Sequence, residues 1–329
     1  ISQTGTKLES IGKLIIKSNG TFEAENIKEV PEPSDKEGAI KITRGGKERW
    51  VNNKTYQFID NLWNEYSGEL NAFIGKSDFD LVIRPSNTTD SHFVFCRYQE
   101  CSLGNLITDS IKDSTETEIA FLNGGGIRNN LPKGNITSSK IIDILPWFSY
   151  IVAKQIPGQV IWDVLEFGVS KLPNSFGGYP QVSGITFDLN PSINSTVIVD
   201  DIGNFVNVTG ERRVTNVKVN GKDLNLTKLY NVSFLEYMAN GGDGYAMLSN
   251  YEVYYESILT DTDSLIYYIK NNLNGTIPEK YKEVEGRVTV KNSSSSSNSN
   301  SQNSSTLVGF RDFEFKDNII KYLVYIILV

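Results

Sequence analysis

The chain has 329 residues, of which 39% are hydrophobic, and its formal net charge is −7. A chain of this length can bury one large core with additional segments, and its negative charge argues against a nucleic acid partner. It contains two cysteines and a single histidine, His92, in a polar stretch typical of a solvated loop. A dinuclear metal site needs several His, Asp and Asn ligands at close quarters, so the sequence contains no complete metal site.

The first residues predict a β-hairpin. A β-prone run at residues 13–17 precedes the turn sequence Ser-Asn-Gly-Thr at residues 18–21. The chain begins with Ile1 rather than Met and shows no signal peptide, so we expect a fragment or a processed product of a longer protein.

Residues 56–73 predict an amphipathic helix. Apolar side chains recur there at helical spacings, with acidic and amide residues between them. The apolar set is Phe58, Ile59, Leu62, Trp63, Tyr66, Leu70 and Phe73.

Two glycine-rich runs follow apolar, β-prone stretches. Residues 123–128 read Asn-Gly-Gly-Gly-Ile-Arg, and residues 240–244 read Asn-Gly-Gly-Asp-Gly. Glycine lets backbone N–H groups approach a ligand closely, while Arg128 offers a planar donor fork and Asp243 an acceptor for hydroxyls. The runs therefore predict two sides of a pocket for a small anion or nucleotide, although each is also compatible with an ordinary turn.

The stretch from residue 156 to residue 290 predicts a mixed α/β domain. Strands are expected at residues 184–187, 215–219 and 229–233, and helices at residues 160–169 and 264–271.

The C-terminal residues 291–329 predict a spacer and an apolar tail. Residues 292–306 are almost entirely Ser and Asn, a composition that cannot bury enough apolar surface to order itself. Residues 319–329 are mostly apolar but too few to span a bilayer, which takes about twenty residues. A polar spacer before a short apolar tail fits a signal for a GPI anchor, against which Lys321 counts, and a loose amphipathic helix is the alternative.

Further motifs surround the glycine runs in a fixed order. They are Cys-Arg-Tyr-Gln-Glu-Cys at 96–101, Leu-Gly-Asn-Leu-Ile-Thr-Asp at 103–109, Leu-Pro-Trp at 145–147, Gly-Tyr-Pro-Gln-Val-Ser-Gly at 178–184 and Tyr-Met-Ala at 237–239. With the two glycine runs, this ordered set resembles the C-terminal domain of the 5′-nucleotidase family, which includes ecto-5′-nucleotidases and apyrases. The resemblance covers roughly residues 75–290.

The resemblance implies a division of the chain. Residues 75–290 would form the substrate-binding domain, a mixed sheet with flanking helices, and residues 1–50 the end of a metallophosphatase domain. Residues 51–74 would be a helix linking the two domains. The sequence is equally compatible with a hinge helix and with a helix that only packs between the domains. In the family a divalent metal, which we expect to be zinc, is bound by the N-terminal domain. We therefore expect this chain to lack the metal ligands and to be inactive alone.

The resemblance also implies roles for polar residues of the pocket. Arg97 and Arg128 match the arginines that contact the phosphate end and the ribose. Asn123 matches a residue at the edge of the base, and its amide can both donate to and accept from a purine. Asp243 matches the residue that accepts from both ribose hydroxyls.

Two aromatic residues stand where the family stacks the base between rings, usually those of phenylalanines. These positions are Trp147 and Tyr237, and Phe148 is the adjacent candidate if the register shifts by one. Both substitutions keep a π face, so they keep the capacity for stacking. Without the resemblance, a Trp after Leu-Pro is more often a core residue.

The cysteines and the glycosylation signals indicate the cellular compartment in which the protein is located. Cys96 and Cys101 flank Arg97 and can form a local disulfide; a reduced pair in a cytosolic protein is the alternative. Asn-x-Ser/Thr sequons favour secretion and begin at Asn19, Asn53, Asn87, Asn135, Asn194, Asn207, Asn225, Asn231, Asn274, Asn292 and Asn303. An extracellular protein, secreted or attached to the cell surface by a GPI anchor, is therefore expected.

The first functional hypothesis is the substrate-binding portion of an extracellular 5′-nucleotidase, which converts a nucleoside 5′-phosphate into a nucleoside and phosphate. An apyrase acting on ATP and ADP, and a non-catalytic protein that binds nucleotides or nucleosides, are the alternatives. A sugar-binding or cation-binding surface protein whose glycine runs are only turns is a further one. The expected partner is a nucleotide or nucleoside, with a purine favoured, and a homodimer is a further expectation.

Overall fold

The computed structural model describes residues 11–16, 22–27, 39–44, 47–85 and 94–291. The chain divides into two compact units, with the boundary between residues 69 and 70. The predicted tail at residues 319–329 and His92 lie outside the described residues.

The first unit contains two hairpins and a helix. Strand β1 (Ile11–Ile16) pairs antiparallel with β2 (Phe22–Ile27), which confirms the predicted hairpin; its turn lies outside the described residues. Strand β3 (Ala39–Arg44) pairs antiparallel with β4 (Lys47–Asn52). Helix α1 (Asn53–Leu70) follows β4 directly and confirms the predicted amphipathic helix.

The second unit alternates strands and helices. Phe73, predicted as the last residue of the helix, instead begins strand β5 (Phe73–Ser77), because backbone pairing with strand β7 (Gly134–Thr137) replaces the helical pattern there. Its elements in chain order are β5 (Phe73–Ser77), α2 (Ser102–Thr115), β6 (Ile119–Asn123), β7 (Gly134–Thr137), α3 (Ser138–Ile144), β8 (Tyr150–Pro157), α4 (Gly158–Gly168), β9 (Pro180–Ser183), β10 (Ile185–Leu189), β11 (Val197–Val199), β12 (Phe205–Val208), β13 (Val214–Val219), β14 (Lys222–Asp223), β15 (Leu229–Leu235), α5 (Glu236–Ala239), β16 (Val253–Thr260), α6 (Asp261–Tyr267) and β17 (Val288–Val290).

A five-stranded mixed sheet, in the order β16-β8-β15-β6-β9, forms the centre of this unit. Strands β15 and β6 are parallel, and the other neighbours in the sheet are antiparallel. All residues of β6 are buried, as expected for a strand covered on both faces. Successive side chains of a strand point to opposite faces, so Ile119 and Phe121 join one apolar core and Ala120 and Leu122 join the other.

Helices cover the two faces of this sheet. Helix α2 places Leu103, Leu106 and Ile107 in the core on the Ala120 side, and α4 places Val164 and Leu165 in the opposite core. A second sheet, in the order β14-β13-β10-β17, lies in the same unit. The predicted strands and helices of residues 160–271 are confirmed, with the last helix ending as a π-helical turn at Tyr268–Asn272.

The described helices include none that is both long and apolar enough to cross a bilayer.

Candidate functional site

The two glycine runs meet at one edge of the central sheet. Because β6 and β15 are parallel, the segments that follow their carboxyl ends lie side by side. Asn123 ends β6, and helix α5 with the second glycine run follows β15. The Asn123 Nδ2 donates to Asp243 Oδ2 at 2.8 Å, which joins the two runs directly.

The first run packs closely against the neighbouring backbone. A Cβ at Gly124 would lie 1.8 Å from the carbonyl oxygen of Cys96, so only glycine fits there. The sequence suggested that N–H groups of this run face a ligand. Two of them are instead used within the protein: Gly124 N–H donates to Tyr179 O at 2.8 Å, and Gly125 N–H donates to Gly177 O at 2.7 Å. These two N–H groups therefore hold the run against residues 177–179 rather than binding an anion.

The second run carries the Tyr237 ring against its backbone. A Cβ at Gly242 would lie 2.6 Å from ring atoms of Tyr237, so glycine makes room for the ring. The Tyr237 hydroxyl donates to Asp243 Oδ1 at 3.1 Å and accepts from the Asp243 N–H at 3.1 Å. Burial is the main cause that raises the pKa of Tyr237, so the hydroxyl keeps its proton and remains a donor. The ring is thus held by the residue predicted to bind ribose.

Trp147 and Tyr237 line one open cleft of about 590 Å³. Both residues are about half exposed, at 51% and 54%. A planar ligand in the cleft would cover both rings. The other lining residues are Phe148, Ser149, Tyr150, Glu236, Asn240, Gly241 and Gly242.

Arg97 lies in a short segment closed by a disulfide. Cys96 and Cys101 form that disulfide, which confirms the predicted pairing. Gln181 is 1% exposed and holds the same segment: its Nε2 donates to Cys96 O at 3.0 Å and to Gln99 O at 2.8 Å. Its Oε1 accepts from Cys101 N–H at 3.0 Å. No contact of Gln181 was predicted from its motif, and the structure gives it this supporting role.

Arginine side chains concentrate positive charge beside this segment. Burial lowers the pKa of Arg97, the charge of Arg128 lowers it further, and Asp243 acts in the opposite direction. Burial, and then Arg128, also lowers the pKa of Arg84. Within the described part of the chain none of these guanidinium groups forms a salt bridge, and the buried Nε of Arg97 has no hydrogen-bond partner there. Positive charges that lower one another's pKa values favour an anion, so this group has the electrostatics of an anion site.

Arg84 is a further arginine of this group, and no sequence motif predicts its role. The side chain of Asn130 holds its backbone, because Asn130 Oδ1 accepts from the N–H groups of Ile83 and Arg84 at 2.8 and 3.2 Å. Asn130 Nδ2 also donates to Arg84 O at 3.2 Å. Asn130 comes two residues after Arg128, and this long-range contact, which no sequence motif indicates, brings Arg84 to the site.

Arg128 joins the arginine group to the aromatic cleft. Its Nη1 donates to Gly125 O at 3.0 Å, and its Cζ lies 5.9 Å from the centroid of the Trp147 ring, within cation–π range. The predicted site residues are therefore connected: Asn123, Asp243 and Tyr237 by hydrogen bonds, Arg128 to Trp147 by this contact, and Arg97 to Arg128 and Asp243 by charge.

The residues described by the structure contain no group of three or more His, Cys, Asp or Glu side chains suited to a metal ion. The site combines exposed aromatic rings, a carboxylate that can accept from hydroxyl groups, and guanidinium donors. This combination suits a ligand with a planar ring, a sugar and an anionic group.

Comparison with known proteins gives a family match. The family described as 5′-nucleotidase, C-terminal domain, matches residues 75–250. The trifunctional nucleotide phosphoesterase protein YfkN of Bacillus subtilis is 30% identical over 209 residues, which cover 60% of this chain and 13% of that protein. A 5′-nucleotidase-related protein of Glossina morsitans morsitans is 27% identical over 278 residues, which cover 78% of this chain and 46% of that protein. The chain thus spans less than half the length of either relative.

Solved structures share the fold. A 5′-nucleotidase precursor from Thermus thermophilus matches with a TM-score of 0.57 and 24% identity, covering 85% of this chain and 54% of that one. The NAD nucleotidase of Haemophilus influenzae matches with a TM-score of 0.53 and 17% identity, covering 87% of this chain and 54% of that one. These matches confirm the predicted mixed α/β fold.

Proposed function

Because this chain belongs to the 5′-nucleotidase C-terminal domain family, as its motifs predicted, we propose that it is the substrate-binding portion of a 5′-nucleotidase-type phosphohydrolase. The substrate would be a nucleoside 5′-phosphate, with a purine base favoured. One observation carries the proposal: an aromatic cleft and a group of arginines without ion-pair partners among the described residues are joined through Asn123 and Asp243.

The aromatic cleft would bind the base. Trp147 and Tyr237 offer exposed ring faces to the same space, and stacking of a base on an aromatic ring contributes about 1 to 3 kcal/mol in nucleic acid binders. Asn123 donates one N–H to Asp243 and keeps its other N–H and its carbonyl oxygen for the edge of the base.

Asp243 would accept hydrogen bonds from the ribose hydroxyls. Each carboxylate oxygen has two lone pairs, and the structure uses Oδ2 for Asn123 and Oδ1 for Tyr237. One acceptor position therefore remains on each oxygen. The carboxylate can hold two adjacent hydroxyls without losing the hydrogen bonds that fix its own orientation.

The arginines would bind the phosphate. Arg97 and Arg128 repel each other, and an anion between their guanidinium groups would relieve that repulsion. Each charge-assisted hydrogen bond contributes about 1.5 to 3 kcal/mol. The phosphate end of the ligand would thus lie toward the segment closed by the disulfide.

Phosphate release belongs, in this proposal, to the whole protein. The described residues do not fit a dinuclear metal site, so the divalent metal that would activate water, with zinc favoured, is assigned to a metallophosphatase domain and not to them. The role of this chain is to bind the nucleotide and fix its orientation.

An extracytoplasmic location is supported by the Cys96–Cys101 disulfide, since such bonds persist in oxidising compartments. Secretion with N-glycosylation and attachment through a GPI anchor are the finer proposals. The apolar tail on which the anchor depends lies outside the described residues.

Calorimetric titration of the purified chain with AMP and adenosine tests the proposal. We expect saturable binding of both ligands, weakened by Trp147→Ala and by Tyr237→Ala, because each substitution removes one stacking face. Tyr254→Ala is the matched control, since Tyr254 on β16 is 52% exposed but does not line the cleft. A folded chain that binds neither ligand would contradict the proposal.

A further inference from the structure

The loop that carries Trp147 is held at both ends by two consecutive residues at the start of α6. At one end, Thr262 Oγ1 donates to Leu145 O at 2.9 Å. At the other end, Ser149 N–H donates to Asp261 Oδ1 at 3.0 Å, and Asp261 N–H donates to Ser149 O at 2.9 Å. The loop between these attachments contains Pro146, Trp147 and Phe148.

The backbone of this loop needs such support. Phe148 has a φ of 49°, in the left-handed region that a bulky residue rarely adopts. A conformation of this kind costs about 1 to 3 kcal/mol and persists where the surroundings hold it in place. Asp261 attaches the residue directly after Phe148, so it stabilises the turn that sets the direction of the neighbouring Trp147 ring.

Capping alone does not account for Asp261, although its Oδ1 accepts from the Thr262 N–H in the first turn of α6 at 2.8 Å. The start of α6 already has a complete capping box, in which Thr260 Oγ1 accepts from Asp263 N–H and the Asp263 carboxylate accepts from Thr260 N–H. Asp261 is 1% exposed, and its Oδ2 has no hydrogen-bond partner among the described residues. Burying a carboxylate costs free energy. A carboxylate needed only at the start of the helix would therefore be more favourable if it were exposed to solvent.

We propose that Asp261 and Thr262 are positioning residues for the base-binding ring Trp147. Neither lines the cleft; both act through the backbone of residues 145–149. The inference rests on the proposed function, since it takes the cleft as the site of the base. It extends that function to a support that lies behind the site and determines affinity for the base rather than for the phosphate.

A pH profile distinguishes this role from a purely structural one. Burial raises the pKa of Asp261 to about 7, and the neighbouring charge of Asp263 acts in the same direction. An ionised carboxylate is the stronger acceptor for Ser149 N–H, so affinity for the base should rise with pH near neutrality. The charged residues on the elements packed against α6 are Asp109, Lys112 and Asp113 on α2, Lys140 and Asp143 on α3, Glu256 on β16 and Lys270 on the π-helical turn.

Stability should respond in the opposite direction. The folded-state pKa of Asp261 lies above its ordinary value, so its contribution to stability is present at low pH and is lost as pH rises through about 7. Stronger binding and lower melting temperature on raising the pH are expected together, and both should disappear in Asp261→Asn.

The test compares paired variants of the full chain, titrated with adenosine, which has no group that titrates near neutral pH, and with inorganic phosphate. Asp261→Ala and Thr262→Val should lower adenosine affinity about tenfold, the equivalent of one hydrogen bond, and leave phosphate affinity unchanged. Thr262→Ser keeps the hydroxyl and should retain wild-type adenosine affinity. Asp261→Asn keeps a neutral acceptor, so it should bind adenosine as wild type does at low pH and more tightly than Asp261→Ala. Wild-type affinity for adenosine should fall as pH drops from about 8 to 6, and that of Asp261→Asn should not.

Amide hydrogen exchange in the ligand-free chain tests the positioning role of Asp261 independently of the proposed nucleotide binding. The Ser149 amide should exchange at least about tenfold faster in Asp261→Ala than in wild type or Asp261→Asn. Wild-type adenosine affinity in both Asp261→Ala and Thr262→Val would overturn the inference while leaving the proposed function intact. A wild-type chain that binds no nucleotide would contradict the proposed function, and unchanged Ser149 exchange would then overturn the inference as well.

Discussion

The two ends of the site are built in different ways. At the arginine end, Arg97 sits in a short segment fixed by a disulfide, by Gln181 and by the close approach of Gly124. At the aromatic end, Trp147 and Tyr237 are half exposed and are held mainly by hydrogen bonds of their loops.

This difference separates the effects of substitutions. Changes in the scaffold around Arg97 act on buried backbone and therefore on folding. Changes of the exposed rings remove ligand contact and leave the core intact, because substitutions at exposed positions usually alter stability by less than about 0.5 kcal/mol.

The largest effect is expected for Gly124→Ala. A methyl group 1.8 Å from Cys96 O forces the glycine loop and the Arg97 segment apart, which should lower the free energy of unfolding by at least about 3 kcal/mol. Urea denaturation measures this. Gly68→Ala is the control, since a Cβ there meets nothing within 4 Å and should stabilise helix α1. Equal stability of Gly124→Ala and wild type would show that Gly124 does not lie so close to the Cys96 carbonyl oxygen.

Arg97→Gln should separate phosphate binding from base binding. Loss of a charge-assisted contact should weaken AMP binding about tenfold to a hundredfold, with adenosine affinity unchanged. Stability should not fall, because the substitution also removes repulsion with Arg128. Calorimetry with the exposed Lys222→Gln as a charge-matched control measures the effect. Equal losses for AMP and adenosine would place Arg97 outside a phosphate subsite.

Trp147→Ala should weaken adenosine and AMP by the same factor. Loss of one stacking face costs about 1 to 3 kcal/mol, which is about fivefold to a hundredfold in affinity. The melting temperature should change little, because the side chain is 51% exposed. A loss confined to AMP would mean that Trp147 acts only through its contact with Arg128.

The smallest effect is expected for Tyr237→Phe. The ring remains, but Asp243 loses a hydrogen bond, so adenosine affinity should fall by about 0.5 to 1.5 kcal/mol. Deoxyadenosine, which lacks one ribose hydroxyl, serves as the comparison ligand in the same titration. An unchanged or higher adenosine affinity in Tyr237→Phe would show that the hydroxyl does not orient Asp243 for ribose.

Much of the fold follows from local patterns in the sequence. The buried run of β6, the helical spacing of α1 and the first hairpin are regular over whole elements, so periodicity predicts them. The end of α1 was misplaced because the spacing continues to Phe73, whereas pairing between β5 and β7, which local sequence does not encode, takes that residue into a strand.

The site also contains residues that local sequence predicts and residues that it does not. Residues in motifs, such as Asn123 and Asp243, could be named from the sequence. Arg84 and Gln181 could not be assigned roles, because each acts through contacts with distant segments. Asp261 resembles an ordinary residue in the first turn of a helix, and only its burial and its bonds to Ser149 distinguish it.

If one nucleotide spans both ends of the site, a crystal structure of the chain with AMP should show it. We expect the adenine ring between Trp147 and Tyr237, the ribose hydroxyls on Asp243, and the phosphate at Arg97 and Arg128. AMP bound with its base outside the cleft, or with its phosphate away from both arginines, would show that the two ends do not form one nucleotide site.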